Sequence, residues 1–192
     1  MMAKTNTGLV AYCKAQLGMP YWYGSFGQFG TLAFYNQKKK QYPGQYKWAY
    51  DPAHTMRKVH DCVGLIKGYL WCDAVNDGTP TYNASQDKSA DGMYNTATVK
   101  GPISTLPEVP GVLVHKGGHI GVYIGGGKVI EARGHAYGVV MTNLKDRGWE
   151  DWCECPYITY EKKDKTVDLL SRLIKKVEAL PEYKELSKLM EE

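Results

Sequence analysis

Apolar residues recur along this chain first at helical spacing and later at strand spacing. Near the start, Leu9, Val10, Cys13 and Leu17 form one helical stripe, and Gly18 supplies a stop. A Gly- and aromatic-rich loop follows over 19–30. Residues 31–60 read as a polar, Tyr-rich insertion whose short helices are interrupted by Pro43 and Pro52. From 61 to 74 the helical period returns, with Cys62, Leu65, Ile66, Tyr69 and Leu70 on one side, and Asn76-Asp77-Gly78 breaks it. Residues 77–108 read as loop with a short helix around Ser89 to Tyr94. Strands are predicted over 111–115, 119–124, 128–132, 138–142 and 155–160. Lys116-Gly117-Gly118 and Gly125-Gly126-Gly127 are the hairpin turns. Helices followed by an antiparallel sheet define an α+β chain.

The pattern changes after residue 160. Val167, Leu170, Leu173, Ile174, Val177 and Leu180 lie on one stripe of a charged helix, Pro181 interrupts it, and Tyr183, Leu186, Leu189 and Met190 continue it. The chain therefore divides into a domain over 1–160 and a helical tail over 161–192. A helix of that length is marginal alone in water, so its apolar face needs a partner. The main domain or a second copy of the chain, forming a homo-oligomer, would serve.

A length of 192 residues suits one core-bearing domain with a small appendage. The net charge of +4 is modest, and the lysine runs at Lys38 to Lys40 and around Lys162 to Lys176 read as solvated faces. Mild positive charge favours approach to an anionic polymer. No basic helix or nucleic-acid module is visible, so nucleic acid is not an expected partner. Fifteen tyrosines and five tryptophans against three phenylalanines lean towards an amphipathic aromatic groove. The segment after Met1 is polar and lacks the apolar stretch of a signal peptide, and no run spans a membrane. Synthesis in the cytoplasm without a leader is the resulting expectation. Five cysteines, an odd number, argue against a fully paired disulfide framework. Cys153 and Cys155 lack the Cys-x-x-Cys or His-x-x-x-His partners of a zinc site, so neither metal nor cofactor is expected, and these two read as buried thiols.

One cysteine stands apart. Cys62 falls in the first turn of its predicted helix, where backbone N–H groups and the helix dipole are expected to lower its thiol pKa and make a nucleophile. His119 opens a strand just after a Gly-Gly turn and is the candidate base. Its ring needs an acceptor. Glu131 lies across the hairpin on the returning strand, with His135 as the competing choice. Asp61 either caps the helix or adds charge to the site, and capping is the simpler reading.

Three linked stretches carry a family resemblance: Leu17-Gly18-Met19-Pro20-Tyr21-Trp22-Tyr23-Gly24, Asp61-Cys62-Val63-Gly64-Leu65-Ile66 and His119-Ile120-Gly121-Val122-Tyr123-Ile124-Gly125. In order and kind they resemble the NlpC family of papain-like cell-wall peptidases, over roughly residues 5–160. Val129 to Gly134, Gly138-Val139-Val140 and Trp149 are similar to phage-lysin or Gram-positive members. The resemblance implies a papain-like NlpC fold and hydrolysis of peptidoglycan stem peptides, commonly between D-γ-glutamyl and the following diamino acid. It implies Cys62 as nucleophile, His119 as base, and Tyr21 near the developing oxyanion, with Trp22, Asp61 and His135 around the substrate. An amidase or acyltransferase on the same scaffold, or a non-catalytic wall-binding module, are the alternatives. Because no secretion signal is visible, a phage endolysin that reaches the cell wall at lysis is the expected setting. Two departures stand out: Glu131 occupies a position often held by His, and the interval between Gly24 and Asp61 is long, so residues 31–60 should add a wall to the groove.

Overall fold

The computed structural model describes residues 4–72 and 78–160, together with residues 173, 174, 176, 177, 180, 181 and 183. The chain divides into two units, Met1–Tyr160 and Glu161–Glu192. In the second unit Leu173, Ile174, Lys176 and Val177 are helical. Val167, Leu170, Leu186, Leu189 and Met190 of the predicted tail stripe lie outside the described residues, as do Asn76 and Asp77.

The first unit opens with α1 (Asn6–Ala15), capped by the Thr5 hydroxyl, which accepts the Gly8 N–H at 3.1 Å. Next come β1 (Phe26–Phe29), α2 (Leu32–Gln41) and β2 (Lys58–His60), then α3 (Cys62–Trp71) and α4 (Ala90–Thr96). The remaining strands are β3 (Lys100–Pro102), β4 (Leu113–Lys116), β5 (His119–Gly125), β6 (Lys128–Ala132), β7 (Val139–Asn143) and β8 (Asp151–Cys153). Strands β3 to β8 form one antiparallel sheet in the order β3-β8-β4-β5-β6-β7, and β1 pairs with β2. The α+β architecture, helices packed on an antiparallel sheet, matches the sequence pattern.

Helix α3 is the centre of the packing. Its residues from Val63 to Trp71 are all buried, so it lacks the polar face of a surface helix. It shares one core with Leu9 and Tyr12 of α1, Met93 of α4, and Leu113, Ile120, Val122, Ile130 and Val139 from one face of the sheet. Removing each such side chain from water contributes roughly 1.5–3 kcal/mol. The opposite sheet face carries a smaller cluster of Val112, Val114, Tyr123, Val129 and Trp149. Gly64 and Gly68, one turn apart on α3, let other chain segments come close. A Cβ at Gly64 would lie 1.8 Å from the Ser25 carbonyl oxygen, and one at Gly68 would lie 2.3 Å from the Tyr12 hydroxyl.

Three expectations need correcting. The last strand is Asp151–Cys153, inserted between β3 and β4, and not 155–160. Pro156 has no N–H to give a ladder, and the Cys155 N–H goes to the Tyr160 hydroxyl at 2.8 Å. The segment 19–30, read as loop, contains β1, and the insertion contributes β2 as its partner. Many of the aromatics face inward. Trp22 is fully buried among the rings of Phe34, Tyr35, Tyr46, Trp48, Tyr50 and His54. The insertion thus has a small core of its own, anchored on a residue that precedes it.

Because no shift of a side-chain tip relieves a clash with the Ser25 carbonyl, Gly64→Ala should lower stability by about 2 kcal/mol or more. Gly44→Ala, where an added Cβ meets nothing within 4 Å, should be near neutral. Denaturant midpoints of the two variants check this, and equal midpoints would mean that the loop does not rest on α3.

Candidate active site

Cys62 begins α3, and the N-cap before it ties the neighbourhood together. Asp61 accepts the Gly64 N–H at 2.6 Å through Oδ1 and the Gly24 N–H at 2.8 Å through Oδ2. One carboxylate therefore caps the helix and holds the Tyr23-Gly24-Ser25 turn. Capping is what Asp61 does here. The Cys62 sulfur, half-buried, is met by the N–H groups of Val63, Ile120 and Cys62 itself. Ile120 directly follows His119, so the sulfur lies against the start of β5, the strand that carries the imidazole.

The thiol does not have the lowered pKa expected of a helix start. Burial, with the Asp61 carboxylate next door, pushes it up to about 12, against the pull of the three N–H groups. The helix end favours the thiolate, but desolvation and the cap's own negative charge act against it. At neutral pH the isolated thiol keeps its proton.

His119 is fixed from the other side. Val122 pairs with Ile130, so Gly121 falls opposite Glu131 and His119 sits on the diagonal of the same face. The His119 Nε2 lies 2.7 Å from Glu131 Oε2. Glu131 is fully buried, and its other contacts are Arg147, through Nε to Oε1 at 2.6 Å and Nη2 to Oε2 at 3.0 Å, and the Thr142 hydroxyl to Oε1 at 2.8 Å. Burial alone would raise its pKa. The hydrogen bonds from His119, Arg147 and Thr142 outweigh it and hold the carboxyl at about 2. An ionised carboxylate only accepts, so Nε2 must carry a proton, which leaves Nδ1 of the neutral ring with a free lone pair. The ring also stacks on Trp149, with centroids 5.4 Å apart and planes 10° from parallel. Gly121 makes room for this, since a Cβ there would come within 3.1 Å of the indole.

The remaining predicted residues separate. The Tyr21 hydroxyl is near both Asp61 and Cys62, and burial with those two charges raises its pKa, so it stays a donor. Trp22 does not reach the site: it is buried in the aromatic cluster described above, which rules out substrate contact. His135 is exposed and stacks on Trp48 at 4.0 Å, while Glu131 holds the imidazole in its place. Arg147 and Thr142 were missed. Thr142 is two residues beyond Val140, which pairs with Glu131, so strand alternation could have found it. Arg147 lies on a short turn with no sequence signal. A second brace was also missed. Asp91 Oδ1 accepts the Gly118 N–H at 2.8 Å and lies 2.8 Å from His115 Nε2, pinning the turn that delivers His119.

A cleft of about 640 Å³ opens beside Cys62, with Tyr23 of the loop before β1, Lys38 and Tyr42 of the insertion, and Asp87 and Asp91 of the segment before β3 among its walls. Among the described residues, no group of three or more His, Cys, Asp or Glu side chains could hold a metal ion, and no helix is long and apolar enough to cross a membrane.

No family model and no curated protein matches the chain. Solved structures do. The chain is similar to NlpC1 from Trichomonas vaginalis, at 16% identity and a TM-score of 0.48, over 83% of this chain and 47% of that one. It is similar to the peptidoglycan hydrolase RipB from Mycobacterium tuberculosis, at 18% identity and 0.48, over 81% of this chain and 65% of that one. A third likeness is to the NlpC/p60 domain of the peptidoglycan hydrolase SagA, at 15% identity and 0.44, over 78% and 97% of the two chains. The chain thus spans about half the length of NlpC1 and under two thirds of RipB.

Glu131→Gln should cost roughly 3 kcal/mol at neutral pH by leaving Arg147 without its counter-charge. The wild-type contribution should be fully present above pH 4.5 and fade as pH falls towards about 2, because the folded state holds the carboxyl below its ordinary value. Denaturation curves of both proteins across that window check this, and parallel curves would refute it. Alkylation of Cys62 by iodoacetamide should keep rising from about pH 7 to about pH 10, beyond the ordinary thiol range. A plateau near neutrality would reveal a preformed thiolate.

Proposed function

We propose that this chain is a peptidoglycan hydrolase of the NlpC type, a cysteine endopeptidase that cleaves stem peptides between D-γ-glutamyl and the following diamino acid. One observation carries the reading: an imidazole held through Nε2 by an ionised, fully buried carboxylate stands at the start of the strand against which a cleft-side sulfur rests. The Asp61–Ile66 and His119–Gly125 motifs of that family fall on α3 and β5, and the end of the third, Tyr23-Gly24, lines the cleft.

In this mechanism the proton of Cys62 passes to His119 Nδ1 as the substrate carbonyl arrives, so thiolate forms only at the moment of attack. The sulfur adds to the carbonyl carbon. The oxyanion takes hydrogen bonds from the Cys62 N–H and the Tyr21 hydroxyl. The imidazolium, stabilised by Glu131, protonates the leaving amine. Water, deprotonated by His119, then releases the acyl group from sulfur. Tyr21 acts as a neutral donor throughout, because its raised pKa keeps the hydroxyl protonated. The protein acts at the bacterial wall, and a phage lysin released at lysis is the setting that best suits such a chain.

The test is digestion of purified wall and of defined muropeptides by the wild type and Cys62→Ala, followed by mass spectrometry of new termini. The wild type should release a free amino group on the diamino acid, and Cys62→Ala should lose about a thousandfold or more of the rate. New amines on L-Ala with intact stems would indicate an amidase, and binding without products a wall-binding module. Equal cleavage by Cys62→Ala would remove the mechanism.

A further inference from the structure

Among the described basic residues that line the cleft, Lys38 and Lys88 have no ion pair, and of these two Lys38 is the buried one. Lys67 pairs with Asp87 at 2.5 Å, and the Tyr82 hydroxyl donates to the same carboxylate at 2.9 Å. Asp61 takes two backbone N–H groups, and Asp91 takes Gly118 and His115. Lys38, on α2, lines the cleft and is only 7% exposed. Its ammonium donates to Gln41 Oε1 at 3.2 Å and stands 5.4 Å from the Phe34 ring centroid and 5.5 Å from that of Tyr42. Among the described residues, no carboxylate lies within the 4.0 Å of an ion pair with it.

A cation so withdrawn from water costs free energy unless an anion meets it. The two aromatic faces and the amide oxygen hold the ammonium in place and offset part of that cost, but they bring no counter-charge. Asp61 and Asp87 favour its charged form from a distance, yet burial outweighs them and lowers the pKa. Held still, partly desolvated and facing the cleft of Cys62, the group is preorganised for an anion on a ligand.

We propose that Lys38 is a specificity-determining residue that binds a carboxylate of the peptide substrate. The ligand class is an acidic peptide with its negative charge on the residue that supplies the scissile carbonyl. This rests on the peptidase reading above, which supplies such a group. A glutamyl residue linked through its γ-carbonyl keeps its α-carboxylate free, three carbons from the carbonyl that is attacked, and amidation of that carboxylate removes the charge. The insertion that carries Lys38 therefore selects un-amidated stems.

The experiment compares a γ-D-glutamyl stem peptide with its α-amidated counterpart. The wild type should cleave the free acid with a kcat/KM at least about tenfold higher, mostly through KM, as loss of a hydrogen bond to a charged group predicts. Lys38→Met should bring the ratio close to one, and Lys38→Arg should retain most of it. Lys39→Met, on the exposed side of α2, should keep the wild-type ratio. A wild-type ratio near one, or an unchanged ratio in Lys38→Met, overturns the proposal. Calorimetry with Cys62→Ala separates this from a failure of the peptidase reading. If the wild type cleaves neither peptide, that reading falls. Tighter binding of the free acid, abolished by adding Lys38→Met, would still support the Lys38 site, and equal or absent binding would overturn it too.

Discussion

A carboxylate withdrawn completely from water has to be met on both oxygens, and Glu131 is met by three side chains. Arg147 reaches both oxygens, Thr142 one, and His119 the other. These partners come from β5, from β7 and from the turn before β8, so the carboxylate fastens one end of the sheet. Its ionisation also settles the chemistry of the imidazole, because an acceptor at Nε2 leaves only Nδ1 to take a proton. The catalytic reading depends on this interaction more than on any property of the sulfur.

Two opposed influences act on Cys62. Three backbone N–H groups favour the thiolate, while burial and the Asp61 carboxylate favour the thiol, and the second pair wins. Asp61 is retained there for mechanical reasons: the same side chain caps α3 and secures the turn that follows Tyr23. Burial and a structural requirement of the helix thus set the resting protonation state of the sulfur, and in the proposed reaction the imidazole moves that proton.

Much of this was legible in the sequence because periodicity reports burial. The α1 stripe, α3 and the hairpin from β5 to β6 follow from spacing, which left both Glu131 and His135 open as the partner of His119. What was not legible has physical reasons. Strand β8 has three residues and begins with Asp151, too short to show alternation. Trp22 sits inside a motif whose neighbours line the cleft, and nothing local reveals that the insertion wraps around it. Arg147 reaches Glu131 from a turn, a contact that only tertiary structure creates. The thiol pKa was misjudged because the helix end is visible in a sequence, whereas desolvation is not.

The high proton affinity of Cys62 has a further consequence. Peroxide and disulfides react with ionised sulfur, and a sulfur that keeps its proton presents little of it. An exposed, acidic thiol would be consumed as sulfenic acid or mixed disulfide in an oxidising medium. In the proposed mechanism the thiolate forms as substrate arrives, so the burial that raises the proton affinity of the sulfur also protects it from idle oxidation.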